Sequence, residues 1–426
     1  MQLRYSFRLD PTPGQRIALG RAFGCARWVF NQALALRKAS HEAGGGWIPG
    51  TVLSKRLSTE AKKNPETAWL TEASAVVLQQ ALRDCDVAYK NFFESAKGNR
   101  KGKRVGKPRF RSRRDNRQAI RFTANARFQV LSNGKLRLPK IGDVAVRWSR
   151  ELPSVPSSVT VIKDASGRYF ASFVVVTDPT EDLDRFPDAD TEVGIDLGLA
   201  SFAVLSDGTV IDNPRFLRRT ERKLKKAQQN LSRKQKGSNN RKKAAAKVAR
   251  AHAHVANARR DHHHKLSAQI IAENQGVYVE DLAVAALARG GLKGHAKSVH
   301  DAGWSQFVSM LEYKATRYGR RFGKVDRWAP TSQVCSACGV SDGKKPLSVR
   351  EWTCAGCGAV HDRDLNAAKN ILKLGQVAAG RAETENACGA QVRPGLAPAP
   401  RVEAGTRQRD RRREARASGA AGIAVL

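Results

Sequence analysis

Residues 2–9, Gln-Leu-Arg-Tyr-Ser-Phe-Arg-Leu, alternate polar and apolar, which predicts a strand with one buried face. Asp10-Pro11-Thr12-Pro13 breaks that pattern, and Leu19, Phe23, Ala26, Val29 and Phe30 then recur at helical intervals. A second helical block covers 72–95, with Val76, Leu78, Ala81, Leu82 and Phe92-Phe93 as its expected apolar stripe. Between 118 and 177 the period returns to two, in short runs such as Val144-Ala-Val-Arg-Trp and Tyr169-Phe-Ala-Ser-Phe-Val-Val-Val. Turns at Ser132-Asn133-Gly134 and Ala165-Ser166-Gly167 give these runs the spacing of a small barrel or sandwich. Residues 178–190, rich in Asp and Pro, read as a linker.

The second half opens on Val193-Gly194-Ile195-Asp196-Leu197-Gly198, apolar on both sides of an acid, as in the middle of a buried strand. Phe202-Ala-Val-Leu, Ser206-Asp207-Gly208 and Val210-Ile211 continue it as an antiparallel meander. A helical region follows over 215–272, interrupted at Gly237-Ser238-Asn239-Asn240, so it folds as a hairpin of two arms. A second buried strand, Gly276-Val277-Tyr278-Val279-Glu280, again ends in acid, and a helix over 301–319 carries Trp304, Phe307, Leu311 and Tyr318. A last helix ends near 374, and the Ala/Gly/Arg-rich tail 377–426 reads as disordered.

Charge changes the picture from fold to partner. The 426 residues hold 76 Lys and Arg against 39 acids, a net charge of +37. Such an excess favours a polyanion, nucleic acid first. Residues 97–117 hold eleven basic residues and one acid, the composition of a flexible basic loop, in which Phe110 between Arg109 and Arg111 is placed to stack on a base or to pin the loop. Residues 215–265 hold eighteen Lys and Arg, among them Lys225 and Lys226, against Glu221 and Asp261 alone. No apolar run reaches the roughly 18 residues of a spanning helix, and the N-terminus lacks the apolar core of a signal peptide. A reducing, cytoplasmic setting is therefore expected, with no membrane partner.

In that setting two Cys-x-x-Cys pairs argue for metal rather than disulfide. Cys335, Cys338, Cys354 and Cys357 match a closed, tetrahedral structural zinc site, with a redox dithiol as the alternative and His361 as a lesser possible ligand. Cys25, Cys85 and Cys388 read as small apolar residues. His262-His263-His264 point three ways on a helix and do not form a joint site.

Asp196 taken alone is a turn aspartate beside two glycines as readily as a ligand. Glu280 and Asp364 change that balance, because each also sits at the end of a buried element where a lone carboxylate is costly. Three convergent carboxylates can hold two Mg²⁺ ions roughly 3.5–4 Å apart, the arrangement of in-line phosphodiester hydrolysis. Asp364 opens the last helix, whereas Asp362 suits an N-cap or ion pair and Asp281 a structural role.

Gly194-Ile195-Asp196-Leu197-Gly198, Val279-Glu280-Asp281-Leu282, Thr331-Ser332-Gln333 before Cys335-x-x-Cys338-Gly339, and Asp362-Arg363-Asp364-Leu365-Asn366-Ala367-Ala368 together resemble the transposon-encoded TnpB nucleases, relatives of the compact type V CRISPR effectors. The resemblance runs from about residue 2 to 374. It implies a multidomain α+β and α/β chain: a wedge β-barrel (1–13 and 116–185) split by a helical recognition insert with its basic loop (14–115), then a RuvC-like ribonuclease H fold (190–330 and 361–376) with a zinc ribbon inserted at 331–360. It implies Asp196, Glu280 and Asp364 as the Mg²⁺-binding triad, a guide RNA from the transposon end, and double-stranded target DNA cut beside a short adjacent motif. Gln79 and Gln80 could present amides to adenine edges there, or simply face solvent. A DNA-strand transposase of the same fold and a guided binder that no longer cuts are the alternatives, the second disfavoured because three carboxylates would repel phosphates.

Overall fold

The protein is described here as a computed structural model, covering residues 2–100, 102–115, 117–178, 186–289, 294–341, 343–346 and 348–380, with the backbone of 384–385 and 391–392. The remaining residues, which include Cys388 and most of the expected linker and tail, lie outside the described set.

Strand β1 (Gln2–Asp10) forms because its alternation puts Leu3, Tyr5, Phe7 and Leu9 on one face, and those four are buried. Helix α1 (Pro13–Glu42) starts at Thr12, whose hydroxyl takes the Gln15 N–H while the Gln15 side chain takes the Thr12 N–H, with Pro13 in the first turn. After the short α2 (Gly50–Ser54), α3 (Ala75–Ala96) packs back on α1. Strands β2 (Gln118–Thr123), β3 (Gln129–Val130), β4 (Lys135–Leu138), β5 (Gly142–Arg147), β6 (Ser158–Lys163) and β7 (Tyr169–Val176) complete one antiparallel sheet in the order β2-β6-β7-β1-β5-β4-β3. The expected wedge β-barrel is an open, curled half-barrel: β3 has two residues, both exposed, too short an edge to close onto β2. Its inner face and the two helices share one core.

The second sheet has the order β10-β9-β8-β11-β12. Strands β8 (Glu192–Leu197), β9 (Ser201–Leu205) and β10 (Val210–Asp212) form the antiparallel meander, while β11 (Gly276–Glu280) and β12 (Arg321–Val325) run parallel to β8. Between them α4 (Phe216–Ser232) and α5 (Asn239–Glu273) make the basic hairpin, with Ser238 capping α5. The short α6 (Val284–Leu287) follows β11. The helix expected over 301–319 is α8 (Trp304–Arg317), and a further helix, α7 (His295–Ala302), precedes it, the two separated where Gly303 takes the left-handed φ of 68°. The break lets the Asp301 carboxylate accept the Leu217 N–H at the start of α4, at 3.0 Å from each oxygen. Strands β13 (Glu351–Thr353) and β14 (Val360–Asp362) carry the cysteine region, and α9 (Arg363–Ala378) runs past the expected end near 374. Among the described residues no helix is long and apolar enough to cross a membrane.

Candidate active site and metal centre

Strand parity sorts β8 into two faces. Val193, Ile195 and Leu197 enter the apolar core with Val277 and Val279 of β11, so Gly194 and Asp196 face the other way. That opposite face is covered by α9. A β-carbon at Gly194 would collide with the Ala368 carbonyl and the Leu372 amide, and one at Gly375 would collide with the Tyr278 ring. Both glycines are therefore there for close helix–sheet approach. One turn before Ala368 stands Asp364, and two residues after Gly194 stands Asp196. Tyr278 pairs with Gly194 across the parallel ladder, so Glu280, two residues on, ends β11 level with Asp196 and on the same face.

The charges register this proximity. Asp196 is half-buried, and its carboxyl is pushed up to about 7, by burial first, then by the Asp364 and Glu280 carboxylates, against the pull of the Leu197 N–H and Arg363. Burial, then Asp281, also raises Glu280. Asp364 lies in the first turn of α9, where the helix dipole favours an anion, and Arg350 Nη1 stands 3.4 Å from each of its oxygens. Asp362 is the N-cap, accepting the Leu365 N–H at 2.8 Å, and Asp281 is paired with Arg327. The flanking acids thus have the structural roles expected of them. Sequence patterns gave no sign of Arg350, which reaches Asp364 across 14 residues.

The four cysteines form the tighter cluster. Their sulfurs all lie within 4.8 Å of one another. Cys335–Cys357 and Cys338–Cys354 are 3.7 and 3.6 Å apart. Zinc–sulfur bonds of about 2.3 Å in a tetrahedron put sulfurs about 3.8 Å apart, so the donor set fits zinc. Each pair sits in the same turn: Cys335 N–H bonds the Val340 carbonyl and Cys354 N–H the Ala359 carbonyl, both at 2.9 Å. His361 is outside the cluster; its Nε2 lies 3.0 Å from Cys335 Sγ, a hydrogen-bonding partner of a ligand rather than a ligand.

Three family models match the chain: "Probable transposase" of the OrfB type of IS605 elements over 173–290, "Cas12f1-like, TNB domain" over 304–371, and a helix-turn-helix domain over 1–46. A Streptomyces pristinaespiralis protein named as an RNA-guided DNA endonuclease is 42% identical over 393 residues, which cover 92% of each chain. The chain belongs to the TnpB family. A second relative, the Escherichia coli K12 protein named as RNA-guided DNA endonuclease InsQ, is 34% identical over 404 residues, 92% of this chain and 95% of that one. A solved Cas12f1–sgRNA–target DNA complex aligns with 84% of this chain and 82% of its own at 15% identity and a TM-score of 0.48, too distant a likeness to argue from.

The residues expected to meet nucleic acid in this TnpB-family chain divide in two. Gln79 is exposed, but Gln80 is buried at 6% exposure on the packed side of α3 and cannot present its amide to a base. Arg109 and Phe110 are exposed, with Lys38 over the Phe110 ring at 5.3 Å. Arg111 is committed to the fold instead: it bonds Asp84 at 3.0 Å, its backbone pairs with the Asn31 amide, and its guanidinium covers the Phe30 ring at 3.8 Å. This end of the basic loop is therefore packed, contrary to its composition. Lys225 and Lys226 are exposed on α4. Lys226 lines a groove of about 1040 Å³ between α4 and α5, together with Lys223, Lys243, Lys247 and Arg250 and no acid.

Proposed function

We propose that this TnpB-family chain is an RNA-guided DNA endonuclease whose cutting site is Asp196, Glu280 and Asp364, in a RuvC-like variant of the ribonuclease H fold. The observation that carries the reading is the raised carboxyl of Asp196, pushed up by burial, then by Asp364 on the helix that covers that face and by Glu280 on the same face of the sheet. An arrangement so costly without a cation suits one built to bind divalent metal, Mg²⁺ by its hard oxygen donors. When bound, such ions supply a nucleophilic water and neutralise charge on the leaving oxygen. The chain's own contribution is placement. Gly194 and Gly375 let α9 sit directly on the sheet, Asp362 fixes its first turn, and Arg350 beside Asp364 offers a cation to the substrate phosphate.

The cysteine cluster would hold one structural zinc, closed by four thiolates and so without a place for substrate. Guide pairing would read sequence, leaving the protein to bind backbone through surfaces such as the α4/α5 groove. The test is to purify the protein with RNA from its own locus, sequence that RNA, and offer a plasmid carrying a matching target. Mg²⁺-dependent double-strand breaks at the target, absent with Asp196→Asn or Glu280→Gln, are expected. The "Probable transposase" family description keeps strand transfer as a second reading, and joined DNA products instead of free ends would favour it.

A further inference from the structure

Trp328 is 84% exposed, whereas Trp304 and Trp352 are 3% and 7% exposed. The other tryptophans have ring partners: Trp28 with Trp69, Trp47 with Tyr89, Trp148 with Phe7 and Trp352 with His361. Trp304 is packed in the core of the second sheet. Trp328 has no aromatic or cationic partner among the described residues.

Its position is as telling as its exposure. The chain from Asp326 to Thr331 leaves the end of β12, which pairs with Glu280 through Val325. On that side the Asp281 N–H bonds the Val325 carbonyl at 3.0 Å, and Arg327, next to Trp328, is paired with the Asp281 carboxylate. On the other side the Thr331 carbonyl accepts from Asn370 at 2.8 Å and from Asn366 at 3.4 Å, and Asn366 is two residues past Asp364. Ala329 packs with Tyr278, Ile371 and Leu372. The loop therefore bridges the element that carries Glu280 and the helix that carries Asp364, with Trp328 between the two anchors.

The turn is also stiff. The Asp326 carboxylate takes the Trp328 N–H at 2.8 Å, the Asp326 carbonyl takes the Ala329 N–H at 3.0 Å, and the Ala329 carbonyl takes the Thr331 N–H at 2.8 Å. A large flat ring held in water by a rigid turn is unfavourable unless something covers it. Its chain neighbours Asp326, Arg327 and Pro330 are exposed, two of them charged, so the ring does not continue into an apolar stretch of chain.

We propose that Trp328 is a stacking platform for a nucleobase of the DNA strand entering the carboxylate cleft, a positioning residue that sets which phosphodiester lies over Asp196, Glu280 and Asp364. Every base has a π-face, so stacking holds a strand without reading its sequence. That suits a site whose sequence is chosen elsewhere by guide pairing. The inference rests on the endonuclease reading, and its test separates the two.

Full-length protein with its guide RNA is compared as wild type, Trp328→Ala and Trp328→Phe. Target binding should be unchanged, while single-turnover cleavage by Trp328→Ala falls about 10- to 100-fold, the range expected for one lost base–aromatic stack. Cut positions should scatter over neighbouring phosphates, and Trp328→Phe should restore most of the rate and the sharp cut. In wild type, one abasic position near the cut should slow cleavage, and in Trp328→Ala that same lesion should add nothing. Wild-type rate and cut positions in Trp328→Ala, or independent effects of lesion and mutation, overturn the proposal. A second arm needs no cutting: Asp196→Asn complexes on DNA carrying 2-aminopurine near the cut should show quenching that Trp328→Ala removes. Equal quenching with and without Trp328 overturns the platform. A wild-type complex that never cuts would instead overturn the endonuclease reading, with the fluorescence arm still deciding the role of Trp328.

Discussion

Asp196→Asn isolates the energetic consequence of the acid cluster. Moving a carboxyl from its ordinary 3.8 to about 7 corresponds to roughly 4 kcal/mol. The sign follows from proton binding. Between those two values the folded state holds the proton more tightly than the unfolded chain, so the associated stability is complete below about 3.8 and is lost as pH rises through about 7. Between pH 5 and pH 8 the loss is about 2.5 kcal/mol, and water at the partly exposed side chain reduces it to about 2. Asparagine keeps the shape and stays neutral, so it escapes the loss. With zinc present and no Mg²⁺, the amides of β8 and α9 should open less often in Asp196→Asn than in wild type, by a ratio that widens about thirty-fold between pH 5 and pH 8 and is smallest at pH 4. Hydrogen exchange followed by mass spectrometry, with both proteins at the same pH, reads this directly. Added Mg²⁺ should close the gap by stabilising the wild type alone. Equal protection at pH 8, or faster opening in the variant, would refute the claim that three acids strain one another here.

Gly194→Ala should cost about 1–3 kcal/mol by overpacking, since the new methyl meets the Ala368 carbonyl, and should cut Mg²⁺-dependent cleavage by lifting Asp364 away; thermal melting and a Mg²⁺ titration check both. Cys354→Ser should abolish stoichiometric zinc, measurable by metal analysis, and make residues 333–360 sensitive to protease. Lys314, whose ammonium bonds the His264 carbonyl at 2.6 Å and the Ser267 hydroxyl at 2.8 Å, is brought down by burial to about 8. The unfolded chain then binds more protons between about 8 and 10, so wild-type stability should rise with pH across that window, and denaturation of Lys314→Met should lack the rise.

Periodicity made much of the architecture legible. The alternation in β1, the meander after Asp196 and the interruption at Gly237–Asn240 are local signals, and the structure contains each element. What periodicity missed depends on contacts between distant residues. The stripe on α3 is set by packing against α1 on one side and β2 on another, which takes Gln80 inside and leaves Phe93 44% exposed. Arg111 looked free because its neighbours are basic, yet its partner Asp84 lies 27 residues away. Gly194 was legible only as a residue of a buried strand beside an acid, because nothing in its vicinity announces that Ala368 and Leu372 of α9, more than 170 residues later, lie against it. The cysteine spacing, by contrast, implied a cluster that the geometry contains, since metal knuckles are local turns.

The order of the acids along the chain has a consequence for how the protein is made. Asp196 and Glu280 leave the ribosome early, whereas Asp364 follows the whole cysteine region and is joined to it directly, β14 passing without a gap into α9. On the proposed assignment, the growing chain holds none of the three acids before residue 196, one before 280 and two before 364, so the cutting site is incomplete until then. The third arrives only when α9 docks into the space that Gly194 and Gly375 leave open, with its entry already tied to the ribbon through the β13–β14 pair. If these three acids are the cutting site, nuclease competence is thus a late event in synthesis, and a product truncated before residue 364 would lack the third acid.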